Sequence, residues 1–322
     1  MAQRIASLLA SATEMLYALG LGERVVAISH ECDYPPATTV KPRVTAANVD
    51  CHASSGDIDR RVREFAAKKV PMYRIDVDRL AGLAPDIIVT QAECDVCAVR
   101  YEDVLNVVRG SSSLANTQIV SLNPVRLGDI FDDVLRVGEA AGAAARAAEV
   151  VGDMRARVEV VAARTRRLPA DRRPRVACLE WIDPPMLAGN WMPELIELAG
   201  GRCELVRPGA HSGPTTWEVM ASFDPQVIVV MPCGFDLARA VQESRRLRQS
   251  PGWAKLSAVE SSRVFAVDGN AYFNRSGPRI VDSMEILAGL IHPAEFAVHL
   301  ETYRGAWCSL AEAASSLHAP QG

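Results

Sequence analysis

Short apolar runs alternate with stretches of helical spacing from the start of the chain. Ile5–Ala10 is an apolar run that predicts a buried β-strand. Ser11 and Glu14 follow with the spacing of a capping box, in which the hydroxyl and the carboxylate each accept a hydrogen bond from a backbone amide of the first turn. The pattern therefore predicts a helix over residues 12–19, and residues 25–29 predict the next strand.

The second half of the chain repeats the order of the first. Arg175–Glu180 resembles Arg4–Leu9, and Phe223–Val230 likewise resembles Leu83–Thr90. Two matched pairs in the same order predict a duplicated α/β unit. The two motifs of the first half lie further apart than their counterparts in the second half, so the first unit carries an insertion. This insertion falls around Lys41–Tyr73.

A stretch without proline, residues 127–168, separates the two halves and is rich in alanine, valine, glutamate and arginine. This composition favours a helix, and Gly138 and Gly142 are places where the helix could break. We predict a long linking α-helix here, between a first lobe over residues 1–126 and a second lobe, with a C-terminal helical tail, over residues 169–322. Since strands alternate with helices in both halves, the predicted fold class is α/β, with two Rossmann-like lobes that contain parallel sheets.

Parallel sheets bind ligands beyond the carboxyl ends of their strands. The predicted strand ends place segments of both lobes on opposite walls of one cleft. The first wall comprises Ser11, residues 30–34 and residues 91–97, and the second wall comprises residues 181–191, 231–235 and 270–275. A small-molecule ligand held between the lobes is therefore the first functional prediction.

Composition narrows the class of partner and the cellular setting. The 322 residues are 49% hydrophobic and 23% charged, with a net charge of -4, as in many globular proteins. No basic stripe suits the neutralisation of phosphates, so nucleic acid is not an expected partner. No apolar run reaches the roughly 18 residues of a membrane span, and the first strand leaves no room for a signal peptide. We therefore expect a cytoplasmic protein whose cysteines are free thiols, metal ligands or packed apolar groups and do not form a disulfide framework.

Four motifs resemble the vitamin B12 and iron-siderophore binding proteins of ABC importers, a class (class III) in which one long helix joins two lobes. They are Ser11–Glu14, Cys32–Pro36, Leu83–Val89 and Arg275–Ile280. Three further motifs, Cys94–Ala98, Pro232–Asp236 and Asp268–Phe273, are similar to a branch of this family without an export signal. The resemblance implies a binding protein and not an enzyme. It implies cobalamin, a related corrinoid or another metal chelate as the ligand.

The cobalamin-binding members grip the flat corrin with aromatic side chains from both lobes. By position, the resemblance assigns this contact to Tyr34, Trp181, Trp217, Tyr272 and Phe273. In the same members, one acidic residue of each lobe docks on arginines of the membrane permease. The matching positions here are Asp78 and Glu218, which precede the two matched motifs, so an ABC permease is an implied partner.

Three more side chains are candidates from the residues themselves. Trp191 ends an irregular loop that Trp181 begins, and aromatic faces at such a place suit a large flat ligand. Arg275 could bind polar or anionic groups of the ligand, with a cap or an ion pair within the last helix as the alternative. Ser11, at a helix amino end, could hold an anion, although capping explains it equally well.

The thiols form a second set of candidates. Cys94 and Cys97 are spaced so that both sulfurs can reach one metal ion or each other, and the repeat places Cys233 after the equivalent strand. Three thiols facing one cleft are therefore predicted, with an incidental loop pair and a packed Cys233 as alternatives. His30 and Cys32 could add ligands, because imidazole and thiolate suit zinc, copper or iron. The rival function is a cytoplasmic metal-handling or redox protein that uses Cys94, Cys97 and Cys233.

Overall fold

The computed structural model describes residues 3–92 and 99–315 of the chain. The strands in these residues are β1 (Ile5–Ser7), β2 (Val25–Ile28), β3 (Thr45–Ala47), β4 (Tyr73–Ile75), β5 (Ile87–Gln91), β6 (Gln118–Leu122), β7 (Val176–Trp181), β8 (Met186–Leu187), β9 (Gly213–Pro214), β10 (Val227–Val230), β11 (Val264–Val267) and β12 (Trp307–Ser309). The helices are α1 (Ala10–Ala18), α2 (Ser55–Lys68), α3 (Val77–Leu83), α4 (Tyr101–Gly110), α5 (Leu127–Ala140), α6 (Ala144–Thr165), α7 (Met192–Leu198), α8 (Trp217–Phe223), α9 (Leu237–Ser244), α10 (Ser257–Glu260), α11 (Ile280–Ile291), α12 (Ala297–Thr302) and α13 (Leu310–Ser315).

Two sheets form the two predicted α/β lobes. The first sheet has the strand order β2-β1-β5-β6, and its strands are parallel. The second has the order β12-β11-β10-β7-β8-β9. Its central strands β11, β10 and β7 are parallel, but β8, β9 and β12 pair antiparallel. The predicted two-lobed fold is confirmed, with the correction that the second sheet is mixed.

The segment predicted as one linking helix, residues 127–168, contains the two helices α5 and α6. Helix α5 ends where Gly142 adopts a left-handed backbone conformation with φ of +69°, which suits glycine because it has no Cβ. A Cβ on Gly138 would lie 2.4 Å from that of Ala147, so this glycine allows α5 and α6 to pack closely. Helix α5 packs against α1 and β6 of the first lobe, and α6 packs against α7 and α11 of the second.

The predicted internal repeat has a matching backbone. Helices α3 and α8 have the same length, and the strands that follow them, β5 and β10, begin after the same interval in both lobes. Each helix ends at a residue in the left-handed region, Ala84 with φ of 40° and Asp224 with φ of 47°. The backbone carbonyl of Arg4 accepts from the amide of Ile87, and that of Arg175 accepts from the amide of Val227. The matched motifs therefore correspond to one helix–strand unit in each lobe.

The lobes share one hydrophobic core in addition to their own smaller ones. This cluster runs from Ile5 of β1 through Phe131 of α5 and Met154 of α6 to Val176 of β7 and Met284 of α11. A core that continues through the linking helices resists large changes in lobe orientation, because such changes would expose apolar surface to water. The carboxyl ends of the parallel strands of both lobes are therefore held in a defined relation. No described helix combines the length and hydropathy that crossing a membrane requires.

Candidate functional site

The loops after the parallel strands of the two lobes meet in two places. In one place, the loop after β2 and helix α1 contact residues 270–279, which follow β11. In the other place, residues 51–55 of the first-lobe insertion contact Trp181 at the end of β7 and helix α9, which follows β10. Ser11 and residues 30–34 of the first predicted wall therefore face residues 270–275 of the second, and the candidate site lies between these two groups of contacts.

Two arginines of the second lobe bind carboxylates of the first. Glu14 Oε1 accepts from Arg275 Nη1 at 3.0 Å and from Arg279 Nη2 at 2.6 Å. Asp33 accepts from Arg275 at 2.6 and 2.9 Å and from the amide of Asn270 at 2.9 Å. The side chains of Glu14 and Arg275 are only 2% and 7% exposed. A buried guanidinium requires such partners. The ion-pair alternative for Arg275 is therefore the one found, but its partners belong to the opposite lobe and not to the last helix.

Charges in this network offset one another. Burial favours a raised pKa for the Asp33 carboxyl, but the hydrogen bonds and positive charge of Arg275 outweigh burial and hold its pKa below the usual range. Asp33 is therefore ionised at neutral pH. The two carboxylates and the two guanidinium groups of the network together sum to zero charge. This part of the cleft has paired charges and does not present a free cation.

Two of the predicted aromatic residues lie beside this network. Tyr34 is 43% exposed, and the guanidinium carbon of Arg279 lies 3.9 Å from the centre of its ring. The same carbon lies 5.4 Å from the ring centre of Tyr272, which also meets Tyr303 edge-on. Arg279 therefore brings one aromatic side chain from each lobe together, as a shared cation–π arrangement. Tyr34 and Tyr272 are placed where a flat ligand could contact both.

Trp181 and Cys233 lie at the ends of neighbouring second-lobe strands. The Trp181 ring is half-buried and packs edge-on against Phe235, with ring centres 5.3 Å apart. Its indole nitrogen donates to the backbone carbonyl of Ser55 at 3.2 Å. Cys233 is a partly exposed free thiol, and its backbone amide donates to the carbonyl of Glu180. Both residues therefore lie at strand ends of the second lobe, and their contact with a ligand stays a prediction.

Other predicted aromatic contacts require correction. Phe273 is fully buried and Trp191 nearly so, and the Trp191 indole donates to the Phe273 carbonyl at 3.2 Å. Both side chains lie in the shared core, and Trp191 is brought there because the loop after Trp181 folds back as the β7–β8 hairpin. Trp217 packs edge-on against Trp253 over the second-lobe core. We assign packing roles to these three and do not carry their ligand contacts forward.

Ser11 does not cap a helix. Helix α1 begins before it, with Leu9 as the N-cap, and no side chain accepts a hydrogen bond at that cap. Ser11 is 2% exposed and lies beside Ser276 of the second lobe, with hydroxyl oxygens 3.4 Å apart. The predicted capping box is therefore wrong, because Glu14 turns to the arginines of the other lobe. An anion has no open path to Ser11.

The thiol and imidazole candidates are not brought together in the described residues. Cys32 is fully buried beside Thr13, and burial raises its pKa to about 11, so it remains a neutral thiol and a poor metal ligand. His30 Nδ1 contacts Thr45 at 2.7 Å instead. Within residues 3–92 and 99–315, no three histidine, cysteine or acidic residues form a metal-binding group. Cys94 and Cys97 lie outside the described residues, so the three-thiol metal site stays a prediction.

The two predicted docking residues occupy equivalent positions. Asp78 and Glu218 are both exposed, in the first turns of α3 and α8. A helix that leads into a parallel strand runs back across the sheet, so its first turn lies near the edge where that strand ends. Each carboxylate therefore belongs near the edge of its sheet where β5 or β10 ends.

Several residues at the site were not predicted from the sequence. Asp33 lies within the motif Cys32–Pro36, but no role was assigned to it. Glu14 was interpreted as a helix cap, although a carboxylate among the apolar residues of α1 is itself a signal of a buried ion pair. Ser55, Arg239 and Glu243, which join the lobes at the second group of contacts, gave no signal, because their partners are distant in the chain.

Two α/β lobes with opposed strand ends and a shared linking core define a two-lobed binding protein. The sequence profile of the periplasmic binding protein family matches residues 5–271. The chain therefore belongs to the periplasmic binding protein family, a family of solute-binding proteins that are not enzymes.

Individual relatives are distant in sequence and similar in length. The chain is 23% identical over 298 residues to an uncharacterised ABC transporter substrate-binding lipoprotein, YvrC, of Bacillus subtilis, covering 91% of this chain and 81% of that protein. It is 24% identical over 288 residues to the vitamin B12-binding protein of Vibrio cholerae, covering 88% and 87% of the two chains. The periplasmic heme-binding protein RhuT from Roseiflexus sp. RS-1, in apo form, has a similar fold, with a TM-score of 0.68, 21% identity and coverage of 92% and 100%.

Proposed function

We propose that the protein binds a corrinoid such as cobalamin, or a closely related metal chelate, between its two lobes and serves as the binding component of an ABC importer. Similarity to the vitamin B12-binding protein of Vibrio cholerae supports this ligand class. Similarity in fold to the heme-binding protein RhuT supports a large flat chelate in general. The choice between these two ligands depends on the charges at the cleft.

The paired charges of the inter-lobe network carry the proposal. Heme bears two propionate carboxylates, whereas the corrin ring of cobalamin bears mainly uncharged amide groups. Arg275 and Arg279 are already bound to Glu14 and Asp33, so taking up propionates there would leave carboxylates without partners. Breaking a buried pair in this way is costly. An uncharged ligand that stacks on Tyr34 and Tyr272 needs no such exchange.

The proposed partner is an ABC permease that contacts Asp78 and Glu218. Both side chains are exposed and lie in equivalent turns of the two lobes, so one symmetric pair of basic surfaces could bind both. Exposed charges act mainly on the rate of encounter and on orientation. This docking stays a prediction.

Calorimetry with the full chain tests the proposed ligand. We expect cyanocobalamin to bind at least tenfold more tightly than hemin, a difference of about 1.4 kcal/mol in binding free energy. Tyr34→Ala should weaken cobalamin binding by about tenfold, because a stacked aromatic contact is worth roughly 1 kcal/mol or more. Trp217→Phe is the matched control and should leave binding unchanged, since Trp217 packs on Trp253. Absence of heat with cobalamin, or tighter binding of hemin, would refute the proposal.

A further inference from the structure

The insertion of the first lobe crosses to the second lobe. Between β3 and β4, the chain runs out to α2 and back, and residues 50–58, here called the strap, include the turn before α2 and its first residues. The strap lies against residues that follow β7 and β10, at the edge where the second lobe is expected to hold ligand. The second lobe has no equivalent insertion in the sequence repeat.

Hydrogen bonds hold the strap to three second-lobe side chains. Arg239 donates to the backbone carbonyls of Cys51 and of Ala53, the latter at 2.6 Å. Trp181 Nε1 donates to the carbonyl of Ser55 at 3.2 Å. The amide and the hydroxyl of Ser55 both donate to Glu243 Oε2, at 3.1 and 2.8 Å. Each of these bonds joins the two lobes.

Packing between strap and second lobe is close but small in extent. Ile58 joins a small apolar cluster around Phe235, and a Cβ on Gly56 would lie 2.7 Å from a carboxylate oxygen of Asp183. The guanidinium carbon of Arg239 lies 3.5 Å from the ring centre of Phe235. Ile58 is thus the one apolar side chain of the strap in that cluster, while Cys51 is exposed.

The second-lobe groups that hold the strap have the chemistry of an amide-binding surface. Arg239 and Trp181 supply N–H donors, and they are used by three backbone carbonyls. Glu243 supplies an acceptor, and it is used by a backbone N–H and a hydroxyl. Carbonyl acceptors and N–H donors side by side are what a primary amide offers. A ligand with peripheral amide groups could make the same hydrogen bonds that the strap makes.

We propose that the strap is a displaceable lid over an amide-binding face formed by Trp181, Arg239 and Glu243, and that amide groups of the ligand replace the strap there. The ligand class in this proposal rests on the proposed function. Opening exposes little apolar surface and exchanges hydrogen bonds that are close to solvent, which is the pattern of segments that open without unfolding the whole protein. The three side chains are then free to determine specificity.

Hydrogen exchange of the ligand-free full chain tests the lid. Ser55→Pro removes both donors to Glu243 while keeping α2, because Ser55 is the first residue of that helix, where proline is tolerated. Ser54 before it, with ψ of 157°, already has a conformation allowed before proline. We expect amides of the strap to exchange at least tenfold faster in Ser55→Pro, with β1 and β5 unchanged. Ser112→Pro is the matched control, because Ser112 is exposed, is the first residue of the short turn over residues 112–114, and follows Ser111 with ψ of 117°. It should change nothing in the strap.

A second variant keeps the lid testable if Ser55→Pro fails to fold. Arg239→Met keeps an unbranched stem over Phe235 but removes the donors to the carbonyls of Cys51 and Ala53. It should likewise accelerate exchange of the strap alone. The lid proposal is overturned if the strap amides of the wild type exchange at the same rate as those of β1 and β5, and if neither variant accelerates exchange of the strap.

Binding kinetics test the amide-binding face. Stopped-flow association of cyanocobalamin should be at least fivefold faster with Ser55→Pro than with the wild type or Ser112→Pro. A corrinoid whose peripheral amides are hydrolysed to carboxylates has no N–H group to donate to Glu243, so it should bind the wild type at least tenfold more weakly, and Glu243→Gln, whose amide can donate to a carboxylate, should reduce that difference. Equal rates, or equal binding of both corrinoids by the wild type, would refute the proposal. If no corrinoid binds any form, the proposed function fails, and hydrogen exchange alone then decides on the lid.

Discussion

Glu14 is a carboxylate shared by two arginines of the opposite lobe, in a place where water is almost excluded. Its side chain is 2% exposed, and those of Arg275 and Arg279 are 7% and 13% exposed. Removing one member of a buried ion pair leaves charges without compensation, and the resulting loss is much larger than for a pair in solvent. At the residue scale, this one carboxylate therefore has an outsized effect on how the lobes are joined.

Replacing Glu14 with glutamine should reveal this effect. We expect Glu14→Gln to lower the free energy of unfolding by about 3 kcal/mol, measured by urea denaturation at pH 7. The control is Glu301→Gln, which breaks the exposed pair with Arg304 and should cost at most about 0.5 kcal/mol. Similar losses for the two variants would contradict a central role for the buried pair.

Single residues were predicted from the sequence unevenly. Arg275 was identified as a cleft residue, but its partners Glu14 and Asp33 lie in the opposite half of the chain, and local spacing carries no information on such pairs. Cys32 was placed correctly at a strand end, yet the pattern could not show that the thiol points into the core. Side-chain direction after a strand depends on the loop backbone, which tertiary contacts determine.

The helix–strand units α3–β5 and α8–β10 show what the sequence predicts well at the scale of elements. The motifs Leu83–Thr90 and Phe223–Val230 located both units and their order, because a proline turn before a β-branched run is a strong local signal. Elements that depend on distant contacts were missed. The β7–β8 hairpin and the strap are of this kind, and the start of α1 was misplaced because Glu14 pairs across the cleft.

The residues that end α3 and α8 have nearly the same backbone but should respond oppositely to glycine. Ala84 has φ of 40° and only its methyl group, so Ala84→Gly should raise the free energy of unfolding by about 0.5–1 kcal/mol. Asp224 has φ of 47°, but its carboxylate accepts from the amide and hydroxyl of Ser257 at 2.8 and 2.6 Å. Asp224→Gly should therefore lower stability by about 1 kcal/mol. Thermal or urea unfolding of both variants measures the signs, and equal signs would contradict this explanation.

On the scale of the whole molecule, the lobes are joined by a continuous core, by the ion pairs of Arg275 and Arg279, and by the strap. These contacts hold the strand ends of the two sheets opposite each other, with Tyr34 and Tyr272 between them. A separate recess of about 420 Å³ lies between α5, α6 and α7, lined in part by Phe131 and Leu198. The sequence predicted the two-lobed arrangement because it is encoded by the repeat, but it could not predict contacts across the cleft.

The central claim is that the ligand is held between these strand ends, and the anomalous scattering of cobalt tests it most directly. Crystals of the full chain grown with cobalamin should show one strong cobalt peak between the lobes, with the corrin ring contacting Tyr34 and Tyr272 and the strap displaced from Trp181. A cobalt peak in the recess between α5, α6 and α7, or an empty cleft in crystals of a chain that binds cobalamin in solution, would contradict the account.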